Sequence, residues 1–272
     1  DALSSIDFDM FSKLPNFKKF IRHAACCRQV RSVYPSLTYP AHTSIVTGRT
    51  PAHHGIVNNI LLQPERSSPD WYWQRNYIRG TTLYDEVLKQ GKHVAALLWP
   101  VTAKSEITWN LPEIFANRRW TNQILTSAAN GTVGYQLMLN HRFGRLRDGI
   151  RQPALDNFVH ASLKYTLKTY RPDLTLVHFT DLDTQRHHYG VHSEEAAAAI
   201  KRHDERIGEL MHLLHQNRMS VKRDTTVIIL GDHSQLDVRN VILINKLHRE
   251  QGYLKVQNGR VTEWKAYCQN CD

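Results

Sequence analysis

Two apolar runs, each ending in an acidic segment, constrain this chain more than any other feature. Residues 174–179 lead into Thr180-Asp181-Leu182-Asp183, and residues 225–230 lead into Gly231-Asp232-His233. A short run that is apolar at nearly every position reads as a strand buried on both faces, which occurs where helices cover both sides of a parallel sheet. The remaining pattern agrees. Apolar residues at helical spacing predict helices over 9–23, 39–47, 81–90 and 153–170, and a long helix opens at Ser193 with Glu194 and Glu195 in its first turn, running to about His215. Further strands are predicted over 30–34 and 93–99. The stretch 253–267 alternates like a hairpin around Asn258-Gly259. The predicted fold is therefore α/β, a three-layer α/β/α sandwich with a mainly parallel sheet. The chain reads as a single catalytic domain over 1–272 that continues beyond both ends of the sequence, with 103–151 as an insertion or cap because that stretch lacks βα rhythm.

Open parallel sheets bind ligands in the crevice outside the carboxyl ends of their strands. Four segments carry polar chemistry: Thr38 in Thr38-Tyr39-Pro40-Ala41-His42, Asp183 with His187, and Asp232 with His233 each follow such a strand, and Asp1 would do so if a strand preceded it. Carboxylates, imidazoles and one hydroxyl are the groups that hold paired divalent ions and supply a nucleophile between them. Each segment alone has a plainer reading. Thr38 suits a helix N-cap ahead of a first-turn proline, and Asp232-His233 suits a strand-end turn. Asp181 competes with Asp183 as the carboxylate. Together the four segments point to a two-metal phosphoryl-transfer site.

Composition narrows the partners. The chain has 35 Lys and Arg against 25 Asp and Glu, a net charge of +10 that favours anionic ligands. The basic runs Lys18-Lys19, Arg118-Arg119 and Lys222-Arg223 are short and lack interleaved aromatics, so no stable nucleic-acid complex is expected. No apolar run approaches the roughly 18–20 residues that span a bilayer. The chain begins at Asp1 without a methionine, so an earlier segment is expected to be missing. Cysteine is sparse: Cys26-Cys27 and the pair Cys268 and Cys271 lack zinc-ribbon spacing, and the low usage leans weakly toward a reducing, cytoplasmic compartment. Of the 16 histidines, His42, His53, His54, His188 and His192 lack partner spacing and read as structural or supporting residues. Trp71, Tyr72, Trp73, Tyr77 and Trp99 suit either a base-stacking wall or the core.

The stretch 34–59, together with Asp181-Leu182-Asp183-Thr184-Gln185-Arg186-His187 and Gly231-Asp232-His233-Ser234, resembles the nucleotide pyrophosphatase/phosphodiesterases of the alkaline phosphatase superfamily. The resemblance implies an alkaline-phosphatase-like catalytic domain with two zinc ions, manganese being the alternative. It also implies a phosphothreonine intermediate at Thr38 and a small phosphodiester or nucleotide substrate. Carried over position by position, Asp1, Thr38, Asp232 and His233 would hold one metal, Asp183 and His187 the other, and Asn59 would donate to a non-bridging phosphate oxygen. Two departures stand out. Ser234 occupies a position usually held by glycine, and the family's further downstream histidine has no counterpart, since His248 reads as a surface-helix residue. The alternatives are a phosphomonoesterase or phosphonate hydrolase of the same superfamily, or a catalytically incomplete metal-binding domain.

Overall fold

The structure is a computed structural model and describes residues 1–219, 221 and 224–269. Helices α1 (Phe8–Phe11) and α2 (Pro15–Ile21) divide the helix expected over 9–23. Leu14 precedes Pro15 and takes an extended conformation (φ −69°, ψ 145°), because the proline ring excludes α geometry from the residue before it. Next come α3 (Thr38–Thr47), α4 (Pro51–His54) and α5 (Leu83–Lys89), then β1 (Val94–Leu97), β2 (Trp109–Leu111), α6 (Gln123–Ala128), α7 (Val133–Phe143) and α8 (Ala154–Thr169). The order closes with β3 (Leu174–Val177), α9 (Asp181–Tyr189), α10 (Glu194–Gln216), α11 (Ile244–Glu250) and the hairpin β4 (Leu254–Gln257) and β5 (Arg260–Trp264).

Among the described residues the central sheet has the order β2-β1-β3, parallel throughout. Ala96 of β1 lies opposite Asn110 of β2 and Leu176 of β3. Strand alternation sends successive side chains to opposite faces. Val94 and Ala96 thus pack with Val46 and Tyr84, from α3 and α5, while Leu97 packs with Tyr135, Leu139, Phe158 and Leu163, from α7 and α8. Helices on both faces give the three layers. Part of the stretch 103–151 belongs to this body: β2 is a strand of the sheet, and Tyr135 of α7 and Thr166 of α8 share a buried hydroxyl hydrogen bond of 2.6 Å.

Two expected strands do not form. Residues 30–34 are irregular, with Val30 77% and Tyr34 90% exposed, and residues 225–230 make no ladder although Val227 rests on the core. Strand propensity reflects fit to a pleated, half-buried surface, so an apolar run without a neighbouring ladder stays irregular. The hairpin does form. The turn residues are Asn258 (φ 51°) and Gly259 (φ 75°), which supply the positive φ pair that a tight two-residue turn requires. Cys26 and Cys27 are exposed and free, whereas Lys222, Arg223 and Cys271 lie outside the described residues. No helix among the described residues is long and apolar enough to cross a membrane.

Candidate active site

The site is assembled at the carboxyl end of the sheet by close backbone approaches. The backbone around Leu3 passes directly over Gly231, where an added Cβ would meet the Leu3 carbonyl oxygen at 1.6 Å, so only glycine fits. That approach brings the Ala2 N–H to Asp232 Oδ1 at 3.0 Å, and Ser32 Oγ donates to the Asp232 carbonyl at 2.6 Å. Asp1 is thereby placed against Asp232-His233, although 230 positions separate Ala2 from Asp232 in the chain.

Thr38 opens α3, whose N-cap is Leu37, and its hydroxyl caps nothing. Instead Oγ1 lies 3.2 Å from His233 Nε2. The same ring nitrogen lies 3.3 Å from Asp1 Oδ1 and 3.4 Å from Asp232 Oδ2. One imidazole nitrogen carries at most one proton, so it cannot satisfy three oxygens. Asp1 Oδ1 and Asp232 Oδ2 are both buried and accept no hydrogen bond. Burial raises the Asp232 pKa, but the opposing pull of His42 and His233 holds the carboxyl well below the usual range. Two orphaned carboxylate oxygens converging with an imidazole and a hydroxyl make a donor set that fits a divalent cation.

Asp183, in the first turn of α9, joins this set: ligand atoms of Asp1, Asp183 and His233 lie within 4.8 Å of one another. Gln235 Nε2 donates to Asp183 Oδ1 at 2.7 Å, and His187 Nε2, one turn further along α9, is 3.5 Å from the same oxygen. The His187 side chain is 58% exposed. Asn59 Oδ1 accepts from the Tyr39 N–H at 2.9 Å. This bond ties Asn59 to the first turn of α3 and assigns its amide NH₂ the donor role. His248 sits on α11, its ring 6.4 Å from that of Tyr253.

Three more residues stand around this cluster: His42, which the sequence suggests as a structural or supporting residue, and His178 and Glu113, which it does not single out. His42 Nδ1 lies 2.8 Å from the Thr38 carbonyl oxygen and 3.4 Å from Asp232 Oδ2; burial above all pushes its pKa down to about 3. His178 and Glu113 continue the arrangement behind Asp1. His178 Nε2 is 3.1 Å from Asp1 Oδ2, and its Nδ1 is 2.9 Å from Glu113 Oε2. The available signal was a titratable residue, His178, inside the mostly apolar run 174–179.

An open crevice of about 2460 Å³ runs past this cluster, lined near Thr38 and Asn59 by Leu37, Trp71, Ile114 and Phe115. Trp71 packs edge-on to both Tyr39 and Phe115, with ring centroids 5.3 and 5.6 Å apart. Trp73 and Trp99 are instead core residues.

The model of the type I phosphodiesterase / nucleotide pyrophosphatase family matches residues 1–271. Human ectonucleotide pyrophosphatase/phosphodiesterase family member 1 is 26% identical over 259 residues, covering 90% of this chain and 24% of the human protein. The venom phosphodiesterase of Macrovipera lebetinus is 25% identical over 233 residues, 82% of this chain and 23% of the venom protein. The chain thus spans about a quarter of the length of these curated relatives. Among solved structures, murine ectonucleotide pyrophosphatase/phosphodiesterase 5 in complex with AMP superposes with a TM-score of 0.53 at 17% identity, over 80% of this chain and 51% of that one, a likeness of fold. Phosphonoacetate hydrolase from Sinorhizobium meliloti, in complex with phosphonoacetate, superposes with a TM-score of 0.52 at 25% identity, over 77% of this chain and 49% of that one.

Proposed function

The chain belongs to the type I phosphodiesterase / nucleotide pyrophosphatase family, and from that premise we propose that it hydrolyses phosphodiester or pyrophosphate bonds of small nucleotide substrates with Thr38 as nucleophile. The observation that supports this reading is the convergence of the Thr38 hydroxyl and the orphaned Asp1 and Asp232 oxygens around His233 Nε2. Asp1, Thr38, Asp232 and His233 would hold one divalent ion, with Asp183 and His187 serving a second; zinc suits this mixed carboxylate and imidazole set, manganese being the alternative. Ions bound there would activate the hydroxyl at neutral pH and stabilise charge on the leaving oxygen.

The chain's own groups supply the rest. Thr38 Oγ1 stands at the N-terminus of a ten-residue helix, whose dipole favours a phosphate at that point. Attack by Oγ1 at phosphorus forms a phosphothreonine and releases the leaving alcohol or phosphate; water then cleaves the ester. Asn59, fixed through Tyr39, donates to an equatorial phosphate oxygen. The Trp71 and Phe115 wall gives a nucleoside an aromatic face on which to stack.

The test is hydrolysis of nitrophenyl thymidine monophosphate and bis-nitrophenyl phosphate by metal-loaded protein beside Thr38→Ala. Turnover reduced at least about 10³-fold in the variant supports the threonine mechanism; equal turnover in the variant refutes it. The likeness to phosphonoacetate hydrolase favours a second reading, cleavage of a phosphonate C–P bond, and release of phosphate from phosphonoacetate with no diester turnover would establish that reading instead. Metal binding without turnover of any of these substrates would mark a metal-binding domain.

A further inference from the structure

Behind Asp1 lies a buried polar chain that the phosphoryl-transfer reading does not use. The Tyr39 hydroxyl donates to Glu113 Oε1 at 3.2 Å, Glu113 Oε2 accepts from His178 Nδ1 at 2.9 Å, and His178 Nε2 meets Asp1 Oδ2 at 3.1 Å. Tyr39 is fully buried, His178 is 2% and Glu113 8% exposed. These groups come from three separate parts of the fold: α3, the loop after β2, and the end of β3. Burying a carboxylate and an imidazole carries a desolvation cost that a leucine at residue 178 would avoid while filling the strand end. The chain of bonds ends on a specific atom. Asp1 Oδ2 is engaged by His178, while Asp1 Oδ1 is the buried oxygen without a hydrogen bond that faces His233.

We propose that His178, oriented by Glu113 and Tyr39, is a positioning residue that holds one oxygen of Asp1 so that the other is presented to a divalent metal ion. The inference rests on the reading of Asp1 as a metal ligand. Two anchors fix the His178 ring: Glu113 and the Leu98 carbonyl oxygen, 3.2 Å away, both face Nδ1, which leaves Nε2 for Asp1. The His42 ring, edge-on with centroids 4.4 Å apart, closes the remaining side. A ligand carboxylate with one oxygen tied to a rigid partner loses less freedom on binding a cation than one that swings, and groups of this kind tune metal affinity about 10–100-fold.

The experiment titrates Zn²⁺ and Mn²⁺ against a chromogenic chelator for the wild type and for His178→Ala, His178→Gln, Glu113→Gln and Tyr39→Phe, with metal-free thermal unfolding measured in parallel. The expected result is a graded loss of metal affinity, about 10–100-fold for His178→Ala, less for Glu113→Gln and least for Tyr39→Phe. His178→Gln, whose amide can still donate to Asp1, should recover part of it. Folded variants that keep wild-type affinity, even with a lower metal-free melting temperature, would reduce the chain of bonds to a packing element and overturn the proposal. Tyr39→Phe, which keeps the ring, guards against loss of fold in the others. Metal affinity is read without substrate, so a protein that binds metal with this grading but cleaves no diester refutes the phosphodiesterase reading alone. A wild type that binds neither metal overturns both.

Discussion

At the level of single residues, the chemistry was legible where it sits in short contiguous motifs and illegible where it depends on distant approach. Asn59 illustrates both. Its Oδ1 is committed to the Tyr39 N–H, so its NH₂ is the free end for phosphate. Asn59→Ala is expected to lower kcat for diester hydrolysis about 10²-fold, as a lost charge-stabilising donor does, and to lower the melting temperature as well, because the Tyr39 N–H loses its acceptor; steady-state kinetics beside a melting curve checks it, and an unchanged kcat would remove Asn59 from the site. His178 and Glu113 could not be read in this way, because their partners lie 177 and 65 positions off. His54, set aside as structural, has its own consequence. It is fully buried, accepts from the Ile56 N–H at Nδ1 (3.1 Å) and donates from Nε2 to Ser44 Oγ (2.9 Å). Burial pushes its pKa from 6.5 down to about 4. Between those values the unfolded chain holds a proton that the folded one lacks, so His54's contribution is complete above about pH 6.5 and is lost as pH falls toward about 4. Urea midpoints at pH 7 and pH 5 should therefore differ less in His54→Asn than in the wild type.

Elements followed the sequence where a local signal sets their ends. Ser193 caps α10 by accepting from the Ala196 N–H at 3.1 Å, as the Ser-Glu-Glu opening predicts, and Thr82 caps α5 with Asp85 in return. The strands expected over 30–34 and 225–230 failed because strand formation needs a partner ladder, which no local pattern specifies. The start of α2 shows a third case, a cap supplied from elsewhere. Asp204, on α10, accepts from the Phe17 N–H at 2.7 Å and the Asn16 N–H at 3.0 Å, while Asn16 Nδ2 donates to its other oxygen at 2.9 Å. Asp204→Ala would leave buried N–H donors without acceptors as well as removing a charge from a helix N-terminus. A loss of about 2–3 kcal/mol is expected, read from denaturant midpoints. Asp204→Asn, which keeps one acceptor, should lose less; equal losses would show that the charge alone matters.

On the scale of the whole molecule, β3 alone keeps the pattern read from the sequence, an apolar strand that ends in a polar segment, whereas Asp232-His233 reaches the site from an irregular stretch. The sheet carries the parts of the site from opposite ends of the chain: Asp1 and Ala2 are held against Asp232, the Asp1 amino group donates to the Phe179 carbonyl oxygen at 2.8 Å, and Arg186 bonds both the Ala2 carbonyl oxygen and Asp7. A metal held there would link binding to folding, because only the folded chain brings ligand atoms of Asp1, Asp183 and His233 within 4.8 Å of one another. Without a cation, the buried Asp1 and Asp232 oxygens hold charge that no hydrogen bond satisfies, which weakens the junction between residues 1–3 and 231–233. A cation that binds the folded state alone stabilises it by RT ln(1 + [L]/Kd), about 2.7 kcal/mol at a hundredfold excess over Kd. Chelation should lower the melting temperature, and graded addition of Zn²⁺ or Mn²⁺ should raise it with the logarithm of free metal. Asp232→Asn should flatten that dependence and also lower the melting temperature of the chelated protein, since the pull of His42 and His233 that holds the Asp232 carboxyl below its usual range is lost with the charge. A melting temperature indifferent to metal in the wild type would mean that these oxygens face no ion.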